Sequence, residues 1–311
     1  MENKKTILDI HNFSVSFEQY GSGFKKTTLP VIHNLDITVH QGEMVAIVGS
    51  SGSGKSLLAH GILGIQPYNA TLGGEIIYNG EVLTEERKKA LRGSEIVLVP
   101  QGTSYLDPLM KVGPQVLKGK NDKKLKERLD KIFKGYNLRD NVYNLYPFEL
   151  SGGMNRRIMV STAMMAQPKL VVADEPTPGL HMEMAKKVMS HFRELADNGA
   201  GVLVITHDLE QAIEVADRIV VFYAGTTLED ADVKDFEKEE TLRHPYTKAL
   251  WRAMPKNGFK FIDGIQPYVK AMPEGCVFGP RCPHFTEECK CAIPYKNVKD
   301  GRVRCIKAEE N

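Results

Sequence analysis

The sequence predicts an α/β fold built around a mostly parallel β-sheet. Short apolar runs rich in Val and Ile recur along the 311 residues. Each run is followed by polar or glycine-containing sequence, which is typical of strands buried on both faces of a sheet. The runs that predict the core are Met44–Val48, Ile96–Val99, Leu170–Ala173, Val202–Ile205 and Ile219–Tyr223.

The opening part of the chain predicts antiparallel strands beside this core. Ile7–Phe17 and Leu35–Val39 show partial alternation of apolar and polar residues, the pattern of half-buried strands. A glycine-containing loop, Tyr20–Phe24, separates them, and Glu75–Tyr78 precedes an Asn-Gly turn. We therefore expect an antiparallel β subdomain next to the parallel sheet.

A charged region interrupts the series of buried runs. Between Lys118 and Lys134, apolar residues recur at helical spacing among many charges. This pattern predicts a helical subdomain inserted at about residues 105–165. Beyond His244-Pro245 the sequence becomes rich in Pro, Gly and Cys, which predicts a small appendage. The expected domains are residues 5–243 and 244–311.

Composition excludes several classes of protein. A formal net charge of +2 gives no basic field that would attract nucleic acid. No apolar run approaches the roughly 20 residues that cross a bilayer, and the N-terminus lacks the apolar core of a signal peptide. We expect a cytoplasmic protein that needs membrane-spanning partners for any role in transport.

The strongest motif is a phosphate-binding loop. Gly49-Ser50-Ser51-Gly52-Ser53-Gly54-Lys55-Ser56 fits G-x-x-x-x-G-K-[ST], follows a buried run and precedes a plausible helix. Glycines let the backbone approach phosphate oxygens, and the successive N–H groups favour an anion. Lys55 would contact the β- and γ-phosphates of a nucleotide, and the Ser56 hydroxyl would ligate Mg²⁺.

Two acids end the third buried run. Asp174 and Glu175 follow Leu170–Ala173 directly. Asp174 can hold Mg²⁺, directly or through water, and Glu175 can polarise the attacking water. An acidic strand end alone is usually structural, but beside the loop at Lys55 it predicts nucleotide hydrolysis.

A third motif, Leu-Ser-Gly-Gly-Met at 150–154, precedes this acidic strand, and with it the chain resembles the ABC ATPase family over roughly residues 5–230. The resemblance implies that Gln101 is the glutamine of the Q-loop and His207 the switch histidine. It also implies an aromatic residue that stacks on adenine, for which Phe17 is the candidate and Tyr20 the reserve. Ser151, Gly152 and Gly153 would bind the γ-phosphate held by a second ATPase subunit.

One residue departs from the family pattern. His181 stands where the family usually has an Asp that helps to join the two sites of the dimer. A histidine cannot act as the same anionic acceptor. This departure predicts a dimer whose two sites hydrolyse ATP unequally, and it favours a related but different partner subunit.

The C-terminal sequence resembles the tail of importers of dipeptides, oligopeptides and nickel. The matching segments are His244–Leu250, Pro273–Cys276, Pro280–Pro283 and Val303–Cys305. This resemblance implies two membrane permeases and an extracytoplasmic solute-binding protein as partners, with the chain on the cytoplasmic face of the membrane. A soluble ABC ATPase acting on DNA or ribosomes is the alternative, although the chain has neither a long coiled-coil insert nor a second ATPase copy.

The cysteines lie only in this tail. Cys276, Cys282, Cys289 and Cys305 have the spacing C-x5-C-x6-C-x15-C, and Cys291 could replace Cys289. Four thiolates can hold zinc or an iron–sulfur cluster. Some members of the resembling subfamily hold a 4Fe–4S cluster there, so we expect that cluster, with zinc and free thiols as alternatives.

Overall fold

The computed structural model describes residues 4–20, 26–50, 52–102 and 104–308. Its strands in chain order are β1 (Thr6–Tyr20), β2 (Lys26–His40), β3 (Met44–Val48), β4 (Ala70–Tyr78), β5 (Glu81–Val82), β6 (Ile96–Val99), β7 (Leu170–Asp174), β8 (Gly201–Thr206), β9 (Arg218–Tyr223), β10 (Thr226–Asp232), β11 (Lys296–Val298) and β12 (Gly301–Val303).

The α-helices alternate with these strands. In chain order they are α1 (Lys55–Leu63), α2 (Glu85–Leu91), α3 (Val112–Val116), α4 (Lys123–Gly135), α5 (Gly152–Ala166), α6 (Met182–Asp197), α7 (Leu209–Val215) and α8 (Pro245–Ala253). None of the helices in the described part of the chain is both long and apolar enough to cross a bilayer.

The larger sheet has the strand order β11-β12-β10-β9-β3-β8-β7-β6. Its central strands, β9, β3, β8, β7 and β6, are parallel, and β10 and the β11–β12 hairpin extend it with antiparallel pairs. Every residue of β3, β7 and β8 is buried, as the continuous apolar runs predict. The predicted fold class is confirmed.

The smaller sheet is antiparallel, with the order β2-β1-β4-β5. β1 and β2 are each longer than their apolar patterns indicate, because their far ends pair with each other at exposed positions such as Glu18 and Thr28. An exposed hairpin does not need apolar residues, so periodicity underestimates its length. Of the predicted loop Tyr20–Phe24, residues beyond Tyr20 lie outside the described residues.

Helices α3, α4 and α5 occupy the segment in which the sequence predicts a helical insertion. Asp122 caps α4 by accepting a hydrogen bond from the Leu125 N–H. Leu129 and Phe133 are buried, because helical spacing places them on the face that packs against the rest of the protein.

The C-terminal appendage is attached to the larger sheet rather than separate from it. Strand β12 pairs with β10, opposite Glu229 and Asp230. His244 caps α8 by accepting a hydrogen bond from the Tyr246 N–H, and the fully buried carboxylate of Glu229 accepts the N–H groups of Arg243 and His244. Apart from α8 and this hairpin, the described tail consists of short 3₁₀ turns and loops, whose pairing partners no periodic pattern could predict.

Candidate functional site

The phosphate-binding loop joins the end of β3 to the start of α1. Gly49 follows β3, and a Cβ atom there would lie 2.1 Å from the Phe222 carbonyl oxygen, so only glycine fits. Gly54, which caps α1, has φ 98°, a conformation that other residues rarely adopt. The described loop residues therefore have the backbone that a phosphate-binding loop requires. Ser51, which the sequence also assigns to this loop, lies outside the described residues.

Lys55 lies within the loop, and only 5% of its surface is exposed. Its Nζ donates hydrogen bonds to the carbonyl oxygens of Gly49 (2.8 Å) and Ser50 (2.7 Å). Burial lowers the pKa of Lys55, while the nearby carboxylates of Glu175 and Asp174 act in the opposite direction. A buried cation held by neutral carbonyls is suited to bind phosphate oxygens.

Asp174 ends β7 beside the start of α1. Burial raises the pKa of this carboxyl, and a hydrogen bond from Ser56 opposes the shift. Its Oδ1 atom is buried and has no hydrogen-bond partner within the part of the chain that the structure describes. A buried oxygen of this kind usually has a ligand. The carboxylate and the Ser56 hydroxyl are hard oxygen donors, so this pair fits Mg²⁺.

Glu175 and His207 meet across the ends of adjacent strands. Glu175 follows β7 in a left-handed conformation with φ 44°, and its N–H donates to the Ile205 carbonyl of β8. Its Oε2 lies 3.1 Å from Nδ1 of His207, which follows β8. The carboxylate is nearly buried, whereas 54% of the His207 side chain is exposed. A carboxylate oriented by a histidine can activate a water molecule next to a bound phosphate.

Parallel topology explains why these residues converge. Strands β3, β7 and β8 are neighbours, so their carboxyl ends lie at one edge of the sheet. Ligands of open α/β sheets bind at this edge. The residues that the structure brings together there are Gly49, Ser50, Gly52, Ser53, Gly54, Lys55, Ser56, Asp174, Glu175 and His207.

The Leu-Ser-Gly-Gly-Met motif at 150–154 lies at the start of α5. Ser151 caps this helix by accepting a hydrogen bond from the Met154 N–H, and Ser151 and Gly152 are exposed. A Cβ atom at Gly153 would lie 3.5 Å from the Gly179 carbonyl oxygen, in the turn before His181. The N-terminus of a 15-residue helix at the surface can bind an anion presented by another molecule.

The remaining predicted residues lie around this edge. Gln101 is exposed just after β6, and His181 is exposed just before α6. Phe17 is half-buried on β1, where it packs against the core between the two sheets. Tyr20, the reserve candidate, is 72% exposed.

Two residues near the site carry no motif that would have identified them. Arg156 on α5 is nearly buried and donates a hydrogen bond to the Pro100 carbonyl, one residue before Gln101. It therefore links α5 to the segment after β6. His60 lies near enough to Asp174 to lower the pKa of that carboxyl. Its position four residues after Ser56 could have indicated this, since such residues share a helix face.

The tail cysteines are all free thiols. Burial raises the pKa of Cys276 to about 11, and the neighbouring Cys305, Cys282 and Cys289 thiols contribute to the shift. Cys291 is exposed. Among the described residues, however, no group of three or more His, Cys, Asp or Glu side chains is arranged to hold a metal ion. The four thiols are neighbours, but among the described residues they do not form a preorganised metal site.

Two known families match the chain. The family described as ABC transporter matches residues 32–178, and the family described as the C-terminal region of oligopeptide/dipeptide transporters matches residues 229–289. Solved structures show the same fold. A dimeric ATP-binding cassette in a post-hydrolysis state, bound to ADP and Pi, has a TM-score of 0.63 at 22% identity, covering 73% of this chain and 99% of that chain.

Curated relatives match almost the whole chain. The dipeptide transport ATP-binding protein DppD of Haemophilus influenzae is 34% identical over 319 residues, covering 96% of this chain and 94% of the relative. The oligopeptide transport ATP-binding protein OppD of Salmonella typhimurium is 34% identical, covering 98% and 94%. The oligopeptide transport ATP-binding protein AppD of Bacillus subtilis is 32% identical, covering 98% of each. By these similarities, the chain belongs to the family of ATP-binding proteins of ABC transporters.

Proposed function

We propose that this protein hydrolyses ATP to drive the import of peptides through a membrane transporter. The observation that supports it most is the arrangement at the sheet edge, where buried Lys55, the Asp174–Ser56 pair and the Glu175–His207 pair surround one phosphate-binding loop. The relatives described above are named for dipeptide or oligopeptide transport, so peptides are the favoured cargo. Import of nickel or a metal chelate is the alternative.

Each site residue has a proposed role. Lys55 and the loop N–H groups bind the β- and γ-phosphates, and Ser56 and Asp174 hold Mg²⁺. Glu175 accepts a proton from the attacking water, and His207 orients that carboxylate and contacts the γ-phosphate. Gln101 would contact the metal and the water, and Phe17 would stack on adenine.

The proposed working unit is a dimer of ATPase subunits. Ser151, Gly152 and Gly153 lie at a helix N-terminus where the first two are exposed, so they are available to cap a nucleotide held by a second subunit. Closure of the two subunits would move the helical subdomain, about residues 105–165, against two permease subunits. We place the ATPase domain at residues 5–243 and the tail at 244–311, on the cytoplasmic face of the membrane, with a solute-binding protein as an indirect partner.

The exposed position of His181 supports a proposal of unequal sites within a heterodimer of related subunits. Restoring the acid with His181→Asp should raise the steady-state ATPase rate of the assembled transporter, because the second site would gain its missing acceptor. An unchanged ATPase and transport rate in that variant would overturn the proposal.

Transport can be tested with the purified ATPase reconstituted with its partner ATPase subunit and its permeases in proteoliposomes, to which the solute-binding protein is added. Labelled dipeptide should accumulate only with ATP and Mg²⁺, and Glu175→Gln should abolish uptake while leaving ATP bound. Accumulation of nickel in place of peptide would assign the alternative cargo. Uptake of neither, with the ATPase active, would contradict the import function.

We also propose that Cys276, Cys282, Cys289 and Cys305 hold a 4Fe–4S cluster, with zinc as the alternative metal. The mutual influence of these thiols on the pKa of Cys276 supports their proximity. Binding would require movements of the surrounding turns and loss of the protons of the four thiols. Iron, sulfide and zinc analysis of anaerobically purified protein tests this proposal. Protein without iron, sulfide and zinc would leave the cysteines as free thiols.

A further inference from the structure

Two side chains of the C-terminal tail lie against the phosphate-binding loop. The Ser50 hydroxyl donates a hydrogen bond to Oε1 of Gln266, which is 216 residues away in sequence. Tyr246 on α8 lies next to Ser50 as well, close enough for Ser50 to influence the Tyr246 hydroxyl. Burial raises the pKa of Tyr246 to about 12, and the neighbouring Ser50 opposes that shift. The phosphate-binding loop is therefore bound to the tail at Ser50.

Ser50 in turn holds the centre of the loop. Its carbonyl oxygen accepts hydrogen bonds from Lys55 Nζ at 2.7 Å and from the Ser53 hydroxyl at 2.7 Å. Any rotation of the Ser50 peptide would displace both donors. Because phosphate binding depends on preorganised N–H groups and on the position of Lys55, the orientation of Ser50 affects nucleotide affinity.

The segment that contains Gln266 is itself fixed by a tail motif. Arg281, from the Pro-Arg-Cys-Pro sequence, donates to the carbonyl oxygens of Ile262 (3.0 Å) and Asp263 (3.1 Å). It also donates to the hydroxyl of Tyr223, the last residue of β9. The guanidinium thus connects the loop before Gln266 to the main sheet.

An aromatic cluster fixes the position of Tyr246, the second tail residue beside Ser50. The rings of Tyr246, Tyr223 and Phe278 pack at centroid distances of 4.4, 5.3 and 5.6 Å. Tyr246 and Phe278 belong to the two tail segments on either side of Gln266. The tail is therefore packed against the main sheet through these rings, and this packing fixes its position.

We propose that Gln266 is a positioning residue for ATP binding: together with Tyr246 it fixes Ser50, and through Ser50 it holds Lys55 and the loop backbone ready for phosphate. The inference rests on the proposed nucleotide site at Lys55. Gln266 acts on affinity rather than on the chemical step, which belongs to Glu175.

Binding of a non-hydrolysable ATP analogue with Mg²⁺, measured by calorimetry, tests this inference. Gln266→Ala should weaken binding about three- to tenfold, the loss expected for one hydrogen bond. Hydrolysis at saturating ATP and the thermal unfolding midpoint should stay at wild-type values, which separates positioning from a structural role. Ile265→Ala is the matched control, because this neighbour is 89% exposed.

A double-mutant cycle gives an independent readout. Ser50→Ala should weaken binding as Gln266→Ala does, and the double variant should be no weaker than either, because both substitutions remove the same hydrogen bond. Wild-type affinity in Gln266→Ala, or additive losses in the double variant, would overturn this inference alone. A wild-type protein that does not bind the analogue would overturn the nucleotide site and this inference together.

Discussion

The phosphate-binding edge of the sheet and the C-terminal tail surround the same loop but are built in different ways. At the sheet edge, Gly49, Asp174 and His207 lie at the carboxyl ends of neighbouring parallel strands, so the topology brings them together. In the tail, Gln266 and Arg281 lie on irregular segments that are held by side-chain hydrogen bonds, one from Gln266 and three from Arg281. If the proposed roles hold, the chemistry depends on residues that regular strands position, whereas the orientation of the loop for phosphate depends on contacts from irregular segments.

Buried ionisable groups have different surroundings at the sheet edge and in the tail. In the catalytic region, buried ionisable groups face one another, as Lys55 faces Asp174 and Glu175. In the tail, buried groups serve the attachment, as when Glu229 accepts the N–H groups of Arg243 and His244. Substitutions in the first region should therefore change rate or affinity, and those in the second should change stability or affinity without changing chemistry.

The largest effect should come from Glu175→Gln. An amide cannot accept the proton of the attacking water, and general bases contribute roughly 10²–10⁴-fold to rate. We expect ATP affinity to stay near that of the wild type while phosphate release falls by at least about a hundredfold. Glu183→Gln, on the exposed first turn of α6, is the control and should keep full activity. Wild-type turnover in Glu175→Gln would contradict the assignment of Glu175 as the general base.

His244 tests the attachment of the tail. Its ring is fully buried, and burial lowers its pKa from the usual 6.5 to about 3. Between these values the unfolded chain binds the extra proton, so stability should fall as the pH falls from about 6.5. His244→Asn keeps a helix-capping side chain without a titrating group.

Chemical denaturation of both proteins at several pH values measures this effect. The difference in unfolding free energy between wild type and His244→Asn should change by up to about 1.4 kcal/mol per pH unit within that window. A difference that stays constant with pH would mean that His244 is not buried as a neutral ring.

The pH dependence of nucleotide affinity tests the environment of Lys55. Because burial lowers its pKa, Lys55 should lose its charge at a lower pH than an exposed lysine does. Affinity for ATP with Mg²⁺ should therefore fall as the pH rises through that lowered pKa, by at most about tenfold per pH unit. Affinity that is independent of pH up to about 10, the range of ordinary lysines, would contradict the burial of this ammonium group.

The smallest effect on stability should come from substitution of Ser151, which caps α5. Ser151→Ala removes the cap of α5 and should cost about 1 kcal/mol of stability, whereas Ser151→Asn keeps a capping oxygen and should restore it. If Ser151 also contacts the γ-phosphate of a nucleotide bound to the partner subunit, both variants should have a lower ATPase rate than the wild type in the assembled dimer, although Ser151→Asn keeps its stability. Full activity in Ser151→Asn would reduce this residue to a helix cap.

The sequence predicted the regular part of this protein well, and the reason is physical. Buried strands, a glycine-rich turn and strand-end acids leave local patterns, so the positions of Lys55, Asp174 and Glu175 near the ends of buried strands could be predicted from the order of the residues alone. Contacts of irregular segments leave no such pattern: nothing near Gln266 indicates that its partner is Ser50, and nothing near Arg156 indicates Pro100. The predicted metal centre had cysteine spacing as its support, but spacing does not specify the arrangement of the thiols.

The central claim is that the loop around Lys55 binds a nucleoside triphosphate. Calorimetric titration of ATP with Mg²⁺ into wild type and Lys55→Ala tests it directly, because Ala removes the buried ammonium group without filling the loop. We expect saturable binding at one site per chain in the wild type and at least about a hundredfold weaker binding in the variant, since contacts between a charged group and phosphate are among the strongest. Equal affinity in the two proteins, or no binding to the wild type, would contradict it.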